Sequence, residues 1–179
     1  MVPARAGSKG IPGKNTKIFR DAPLVNWSFA AAKWLSNKLD AQVLCTTDDP
    51  KVAELARAMN LLVHNRAKQL ANDTASMADV VLDVCEATNS NNYILLQPTS
   101  PFRNSVHIKE AIELFSNELD MVVSVKVSHD NPYFNLFEEN YQGQLVKSKE
   151  GDFTRRQDCP EVYAYNGAIY IMNAESLAK

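Results

Sequence analysis

Residues 5–15, with the sequence RAGSKGIPGKN, contain the side chains best suited to binding phosphate. Three glycines and three cations are interspersed there: Gly7, Gly10 and Gly13 with Arg5, Lys9 and Lys14. Glycine allows positive φ angles, so backbone N–H groups can turn inward, and the cations supply charge that a polyphosphate can use. The spacing is not that of a P-loop, which would require glycine at position 8 and Ser or Thr at position 15. We interpret the segment as a phosphate-binding loop; the alternative is a solvated basic loop.

The positive charge of the chain is concentrated in the same region. Five basic residues and no acidic residue precede Asp21, although the 179 residues together carry a net charge of −2. A weakly acidic protein lacks the basic surface that coats nucleic acid, so nucleic acid is not the expected partner.

The composition narrows the class of protein further. Hydrophobic residues make up 45% of the chain and charged residues 22%, which excludes wholesale disorder. No apolar run approaches the roughly 20 residues of a membrane span, and no signal-peptide pattern opens the chain. The cysteines are widely spaced and form no CxxC pair, which argues against a disulfide framework or a zinc site: Cys45, Cys85 and Cys159. We therefore expect a cytoplasmic protein without a membrane segment.

Strand-like and helix-like segments alternate along the chain and must position the loop. Apolar runs predict strands at residues 42–46, 61–64, 93–96, 121–127 and 168–172. Helical spacing predicts a helix that opens with Pro23 in its first turn, with Leu24, Trp27, Ala31, Trp34 and Leu35 recurring along one apolar face, and further helices at 50–60, 76–88 and 105–117. This order predicts an α/β fold with a Rossmann-like, doubly wound, mainly parallel sheet. The basic loop would then lie at the carboxyl edge of the first strand, where open α/β sheets bind ligands.

We predict one domain over residues 1–179, with a small β-rich excursion at residues 128–165. Aromatic residues in that excursion exceed what so small a segment can bury against itself, which favours an interface and a homodimer. Met1 and Val2 are too short for the strand that feeds the loop, and the chain stops in a predicted helix start at 174–179. We therefore expect further residues at both ends, with the C-terminal part of the fold absent.

Several blocks of the sequence resemble the CMP-N-acetylneuraminate synthetase (acylneuraminate cytidylyltransferase) family, which includes legionaminic and pseudaminic acid cytidylyltransferases. The blocks are ARAGSKGIPGKN at 4–15, TTD at 46–48, LANDTAS at 70–76, LLQPTSPFR at 95–103, RRQDCP at 155–160 and NGAIYI at 166–171. They follow the order and spacing of the family over nearly the whole chain. The resemblance implies a fold of the nucleotide-diphospho-sugar transferase type.

The resemblance also implies an activity: transfer of CMP from CTP to a 2-keto-3-deoxy sugar acid of the nonulosonic (sialic) type, giving the CMP-sugar and pyrophosphate. It assigns catalysis to Arg5 and Lys14, and nucleotide binding to Arg5, Ser8, Lys9, Lys14, Asn15, Arg66, Ala75 and Ser76. It assigns sugar binding to Gln97, Arg156 and Asn166, and it implies a homodimer in which the excursion closes the partner's sugar site. It implies Mg²⁺ as the cofactor, although the family's usual C-terminal Asp-x-Asp ligands are not in this chain, so no metal ligand is assigned.

Two other functions stay open on the sequence. One is a 3-deoxy-manno-octulosonate-type cytidylyltransferase, which typically has an acidic Gly-Asp-Glu-Pro-type block where this chain has QPTSP at 97–101. The other is a non-catalytic nucleotide-binding domain of the same fold. Departures from the family pattern are Met77, where many members have a small hydroxyl residue, and Ala164, where some have an arginine.

Overall fold

The structure is a computed structural model that describes residues 1–177 of the chain. Its strands are β1 (Val2–Pro3), β2 (Ile18–Phe19), β3 (Ala22–Pro23), β4 (Leu44–Thr47), β5 (Leu62–Asn65), β6 (Asn92–Leu96), β7 (Met121–Val127), β8 (Phe137–Glu139), β9 (Leu145–Lys147) and β10 (Tyr163–Asn173). Its helices are α1 (Leu24–Leu39), α2 (Pro50–Ala58), α3 (Met77–Thr88), α4 (Ser105–Leu114) and α5 (Ala174–Leu177). The chain divides into two compact units, residues 125–166 forming the second.

The first unit, residues 1–124 together with residues from 167 onward, is built on parallel strands. β1 pairs in parallel with β4, and β4 in parallel with β5. The Leu96 N–H donates to the Met1 carbonyl at 3.1 Å, which joins β1 to β6 on its other side. β10 then pairs antiparallel with β6, with Tyr170 opposite Leu95. The predicted α/β class is confirmed, and the antiparallel β10 makes the sheet mixed.

Alternate residues along the strands face opposite sides of the sheet, and each side is covered by helices. Cys45 and Leu96 belong to a buried cluster with α1, α2 and α4, whereas their neighbours Leu44 and Leu95 belong to a second cluster with α3. Strands that are covered on both faces require continuous apolar runs, as the sequence of β6 shows.

The predicted buried face of α1 is wrong in part. The buried residues of this helix are Val25, Ser28, Phe29, Ala32 and Leu35, of which only Leu35 was predicted. Trp34 keeps 38% of its surface exposed, and Trp27 donates its indole N–H to the Phe19 carbonyl at 3.2 Å. The small side chains of Ser28 and Ala32 lie on the buried face and allow the helix to approach the sheet.

The other helices follow their predicted spacing, and side chains fix where they begin. Asp49 accepts a hydrogen bond from the Lys51 N–H at 2.9 Å and caps α2. Ser76 and Asn104 cap α3 and α4 in the same way. The last of these helices ends at Leu114 rather than at residue 117, because Phe115 has an extended backbone.

The second unit contains the hairpin of β8 and β9, in which Phe137 lies opposite Lys147. Asn131 organises the residues before the hairpin: it accepts a hydrogen bond from the Tyr133 N–H at 3.0 Å and donates one to the Pro160 carbonyl at 2.9 Å. The rings of Tyr133 and Phe153 pack edge to face with their centroids 5.6 Å apart. Tyr141 is 95% exposed, so part of the aromatic surface of this unit is open; the homodimer stays a prediction.

Within residues 1–177, no helix combines the length and the apolar character that crossing a bilayer requires.

Candidate functional site

The basic loop between β1 and α1 takes its shape from two glycines in the left-handed region. Gly7 has φ +69° and Gly13 has φ +65°, where a side chain would strain the backbone. After Gly13, residues Lys14–Thr16 form a single 3₁₀ turn, with the Lys14 N–H donating to the Ile11 carbonyl at 3.1 Å. The glycine-dependent turns expected from the sequence are therefore present at two of the three glycines.

Side chains from other elements hold this loop at the carboxyl ends of β1 and β4. The Ala6 N–H donates to Asp48 Oδ1 at 2.8 Å, and Asn15 Nδ2 donates to the Arg5 carbonyl at 3.0 Å. Thr47 Oγ1, at the end of β4, donates to the Ala4 carbonyl at 2.6 Å. Asp48 thus fixes the loop and Asp49 caps a helix, so both neighbouring carboxylates have structural partners.

A cavity of about 510 Å³ lies beside the loop, lined by Pro3, Arg5, Ser8, Lys9, Gly10, Ile11, Lys14, Asn15, Arg66, Asp73, Met77, Gln97, Pro98 and Thr99. Seven residues assigned by resemblance are among them: Arg5, Ser8, Lys9, Lys14, Asn15, Arg66 and Gln97. The structure brings these seven residues together from three separate stretches of the sequence. Their individual binding roles stay predictions.

Two of the lining residues, Asn15 and Arg66, are buried and fixed. Arg66 is 6% exposed; its Nη2 donates to the Thr46 carbonyl at 3.1 Å, and its Nε lies 3.4 Å from Thr46 Oγ1. Burial lowers the pKa of Arg66 below its ordinary value, and the negative charge of Asp48 opposes that change. Asn15 and Arg66 therefore present rigid amide and guanidinium groups, suited to reading the polar edge of a ligand.

Arg5 and Lys9 form ion pairs with the same carboxylate. Lys9 Nζ lies 2.5 Å from Asp73 Oδ2, and Arg5 Nη2 donates to Asp73 Oδ1. Hydrogen bonds from Lys9 and Arg5 hold the pKa of the Asp73 carboxyl below its usual value. Asp73 lies in the LANDTAS block, but the sequence analysis did not single it out.

Lys14 differs from these two cations. Its side chain is half-buried and lines the cavity, and among residues 1–177 no carboxylate pairs with it. Lys17 and Arg20, which the sequence analysis left unassigned, are exposed and do not line the cavity.

Gln97 follows β6 and is held through its backbone. Its carbonyl accepts hydrogen bonds from Ser28 Oγ at 3.3 Å and from Arg103 Nη2, and Arg103 Nη1 also donates to Ser28 Oγ at 3.1 Å. Burial lowers the pKa of Arg103 to about 10. Sequence reasoning missed Ser28 and Arg103 as supports of this position, although Arg103 ends the LLQPTSPFR block.

Ala75 and Ser76, assigned to the nucleotide, lie just before α3 and are not among the residues that line the cavity. The Ser76 hydroxyl accepts a hydrogen bond from the Asp79 N–H at 3.0 Å and is engaged as the cap of α3. Met77, the next residue, lines the cavity instead.

Arg156 and Asn166 belong to the second unit. Arg156 Nη2 lies 2.7 Å from His129 Nδ1, and the Asn166 amide donates to the Val125 carbonyl at 3.3 Å. Since an arginine cannot accept, His129 must accept at Nδ1 in this contact. His129 was given no role on the sequence, and this contact supports Arg156.

No group of three or more His, Cys, Asp or Glu side chains in residues 1–177 is arranged to hold a metal ion. Among the residues that line the cavity, the only carboxylate is Asp73, and both of its oxygens are engaged by cations. This arrangement does not fit a magnesium site held by these residues. Magnesium stays a prediction from the resemblance.

The chain matches a family model described as "Cytidylyltransferase" over residues 1–174. It is 34% identical over 182 residues to "Post-translational flagellin modification protein B" of Campylobacter coli, covering 97% of this chain and 76% of that protein. It is also 34% identical to the N-acylneuraminate cytidylyltransferase of Streptococcus agalactiae serotype V, over 98% of this chain but 43% of that protein. A third relative, the CMP-N,N'-diacetyllegionaminic acid synthase of Legionella pneumophila, is 33% identical, over 99% of this chain and 78% of the relative.

Solved structures share the fold at lower identity. A CMP:2-keto-3-deoxy-manno-octonic acid synthetase in complex with CTP superposes with a TM-score of 0.72 and 19% identity, covering 99% of this chain and 74% of that one. A 4-diphosphocytidyl-2C-methyl-D-erythritol synthase from Anaerococcus prevotii has a TM-score of 0.59 and 12% identity, covering 97% and 71%. These likenesses confirm the predicted nucleotide-diphospho-sugar transferase type of fold.

Proposed function

The chain belongs to the cytidylyltransferase family, and from that premise we propose that it transfers CMP from CTP to a nonulosonic (sialic-type) sugar acid and releases pyrophosphate. The observation that carries the proposal is that the glycine-rich basic loop and the buried residues Asn15 and Arg66 line the same cavity. Relatives named as acylneuraminate and legionaminate enzymes, at 33–34% identity, support the sugar-acid class.

The cations of the loop would hold the triphosphate and favour the reaction. The anomeric oxygen of the acid attacks the α-phosphorus in line, and the bond from that phosphorus to the pyrophosphate oxygen breaks. Arg5, Ser8 and Lys9 bind the phosphates, while Lys14 and Arg5 stabilise the charge that develops on the α-phosphate and the leaving pyrophosphate. This assignment needs cations already fixed around the cavity, and Arg5 and Lys14 lie there in this structure.

The buried pair would select the base. Cytosine offers acceptors at O2 and N3 and a donor at N4, which a fixed amide and a fixed guanidinium can satisfy together. Met77 lines the cavity at the position where many members of the family have a small hydroxyl residue, so we assign base selection to Asn15 and Arg66.

Three residues are assigned to the sugar acid: Gln97 in the first unit, and Arg156 and Asn166 in the second. Gln97 lines the cavity of the first unit, and its backbone is fixed by Ser28 and Arg103. In the second unit, Arg156 presents an exposed guanidinium that suits a carboxylate, and Asn166 lies at the start of the segment that leads back to the sheet.

The finer features of the proposal are a homodimer, a cytoplasmic location and magnesium as cofactor. The open aromatic surface of the second unit supports the dimer, and the three unpaired cysteines support a reducing compartment. A sedimentation measurement at micromolar concentration tests the dimer, and a species of 19.9 kDa that does not change with concentration would contradict it.

The reaction is tested by measuring pyrophosphate release from CTP with N-acetylneuraminate, legionaminate, pseudaminate and 3-deoxy-manno-octulosonate in parallel. We expect turnover with a nine-carbon acid and with CTP in preference to ATP, GTP and UTP. Turnover with only the eight-carbon acid would replace the proposal with the octulosonate activity. Tight binding of CTP without turnover of any acid would favour a non-catalytic nucleotide-binding domain.

A further inference from the structure

Asp73 holds an unusual position, because it places a negative charge in a cavity that four cationic side chains line. Its two carboxylate oxygens bind different partners: Oδ1 accepts from Arg5 and Oδ2 lies 2.5 Å from Lys9 Nζ. The cavity is also lined by the cations Lys14 and Arg66. A carboxylate that bridges two cations offers them the same paired oxygen acceptors that a phosphate group would.

The loop that carries Asp73 does not need this carboxylate for its shape. The neighbouring Asn72 Oδ1 accepts from the N–H groups of Thr74 and Ala75, each at 2.8 Å, and Asn72 Nδ2 donates to the Gln69 carbonyl at 2.7 Å. Asp73 itself is exposed, with 37% of its side-chain surface accessible. The backbone turn is therefore stabilised by uncharged groups, and the charged contacts of Asp73 are its ion pairs with Arg5 and Lys9.

We propose that Asp73 is an internal counterion that occupies the phosphate position at Arg5 and Lys9 and is displaced when a polyphosphate binds. The proposal rests on the proposed function, because it takes the ligand of these cations to be the triphosphate of CTP. A ligand phosphate must compete with the carboxylate, so Asp73 weakens the binding of CTP and pyrophosphate. The return of Asp73 after the reaction would favour release of pyrophosphate, and the residue would tune affinity for polyphosphate rather than for the base.

Replacing the carboxylate by a neutral group of the same shape measures this competition. Asp73→Asn removes two partly exposed ion pairs and the repulsion between the carboxylate and the ligand, for which we expect a roughly tenfold gain in affinity. Asp79→Asn is the matched control, because Asp79 is an exposed acid only six residues further along, in the first turn of α3. Among the described residues, Asp79 forms no ion pair with Arg5 or Lys9.

The experiment is titration calorimetry of the wild-type protein and both variants with CTP, inorganic pyrophosphate and cytidine, in buffer without divalent cations. We expect Asp73→Asn to bind CTP and pyrophosphate about tenfold more tightly and cytidine unchanged, with Asp79→Asn within twofold of wild type for all three. The gain should shrink as salt is added, since exposed charges are screened. Asp73→Ser, which also lacks the carboxylate, should reproduce the result, and a thermal melt of each variant confirms that it is folded.

Two results would overturn the proposal: weaker binding of CTP and pyrophosphate by Asp73→Asn, or a gain no larger than that of Asp79→Asn. The proposed function fails in a different way. If the wild-type protein does not bind CTP in preference to ATP, but Asp73→Asn still binds pyrophosphate more tightly, the counterion role stands and the cytidylyltransferase assignment does not.

Discussion

Replacing Lys14 by alanine separates a catalytic role from a structural one. Lys14 lines the cavity, and its part in the fold is a backbone contact, the N–H that donates to the Ile11 carbonyl at 3.1 Å. Alanine keeps that contact and removes the side chain beyond Cβ, including the ammonium group. We expect turnover to fall at least about 100-fold, which corresponds to about 2.7 kcal/mol of lost transition-state stabilisation. The free energy of unfolding should change by less than about 0.5 kcal/mol.

Lys17 provides the matched control. It lies one turn further along the same basic segment, is exposed and does not line the cavity. Lys17→Ala removes the same charge from the protein, so a general loss of positive potential would affect both variants alike. We expect Lys17→Ala to keep turnover within about twofold of wild type, because an exposed charge outside the site is screened.

The assay is initial-rate pyrophosphate release over a range of CTP and sugar-acid concentrations, with a thermal melt of each variant. Since the ammonium acts on charge that develops during the reaction, kcat and kcat/KM should fall together in Lys14→Ala. An increase in KM for CTP with unchanged kcat would show that Lys14 only binds the ground state. Wild-type turnover, or an equal loss in Lys17→Ala, would refute the reasoning.

Four further predictions follow from burial and charge. Arg66→Met should weaken CTP binding at least tenfold in calorimetry, because losing one partner of a charged hydrogen bond costs about 1.5–3 kcal/mol. Equal affinities of the wild-type protein for CTP and ATP would contradict a base-reading role. In urea titrations, Phe29→Ala should lower the free energy of unfolding by about 3–5 kcal/mol and Trp34→Ala by no more than about 1 kcal/mol. The reason is that Phe29 is fully buried and Trp34 is not. Equal losses of stability would contradict the observed buried face of α1. Burial raises the pKa of the Cys45 thiol to about 12, so iodoacetamide at pH 8 should leave Cys45 unlabelled in the folded protein, as peptide mass mapping can check. Arg156→Glu should impair use of the sugar acid while the calorimetric affinity for CTP stays near wild type, and an equal loss of both would place Arg156 elsewhere.

Much of the fold could be predicted because continuous apolar runs and capping residues are local signals. β7 has its predicted bounds, Met121–Val127, and Asp49 caps α2 as its position before Pro50 indicates. The face of α1 could not be predicted in the same way. Each residue rotates the side-chain direction by about 100° around the helix axis, so adjacent residues define different faces. The prediction placed the two large apolar tryptophans on the buried face, whereas the small Ser28 and Ala32 occupy it.

The direction and extent of β10 also lay beyond the sequence. Its apolar part, 168–172, was recognised, but the strand begins at Tyr163, where side chains are exposed and the apolar signal is lost. Pairing antiparallel to β6 depends on where the chain re-enters the sheet after residues 125–166, and periodicity along one strand contains no information on direction.

The candidate site, like the fold, could be predicted from the sequence only in part. Cations suited to phosphate were found because residue type alone suggests their chemistry, and most of them line one cavity. Arg103 was missed because it acts on a backbone carbonyl, that of Gln97, which sequence does not reveal. Asp73 was missed because a carboxylate repels phosphate and is therefore not expected in a phosphate-binding site.

The distribution of acids around the cavity singles out Lys14. Cations that converge on one cavity repel one another, and the proximity of Arg5 contributes to the lowered pKa of Arg66. Asp73 offsets Arg5 and Lys9 directly, and Asp48 offsets Arg66. Lys14 has no such acid among the described residues, so the positive potential of the protein without ligand is least compensated there. Negative charge that develops during the reaction is stabilised most by a cation that is not already paired, which supports the catalytic role that we propose for Lys14.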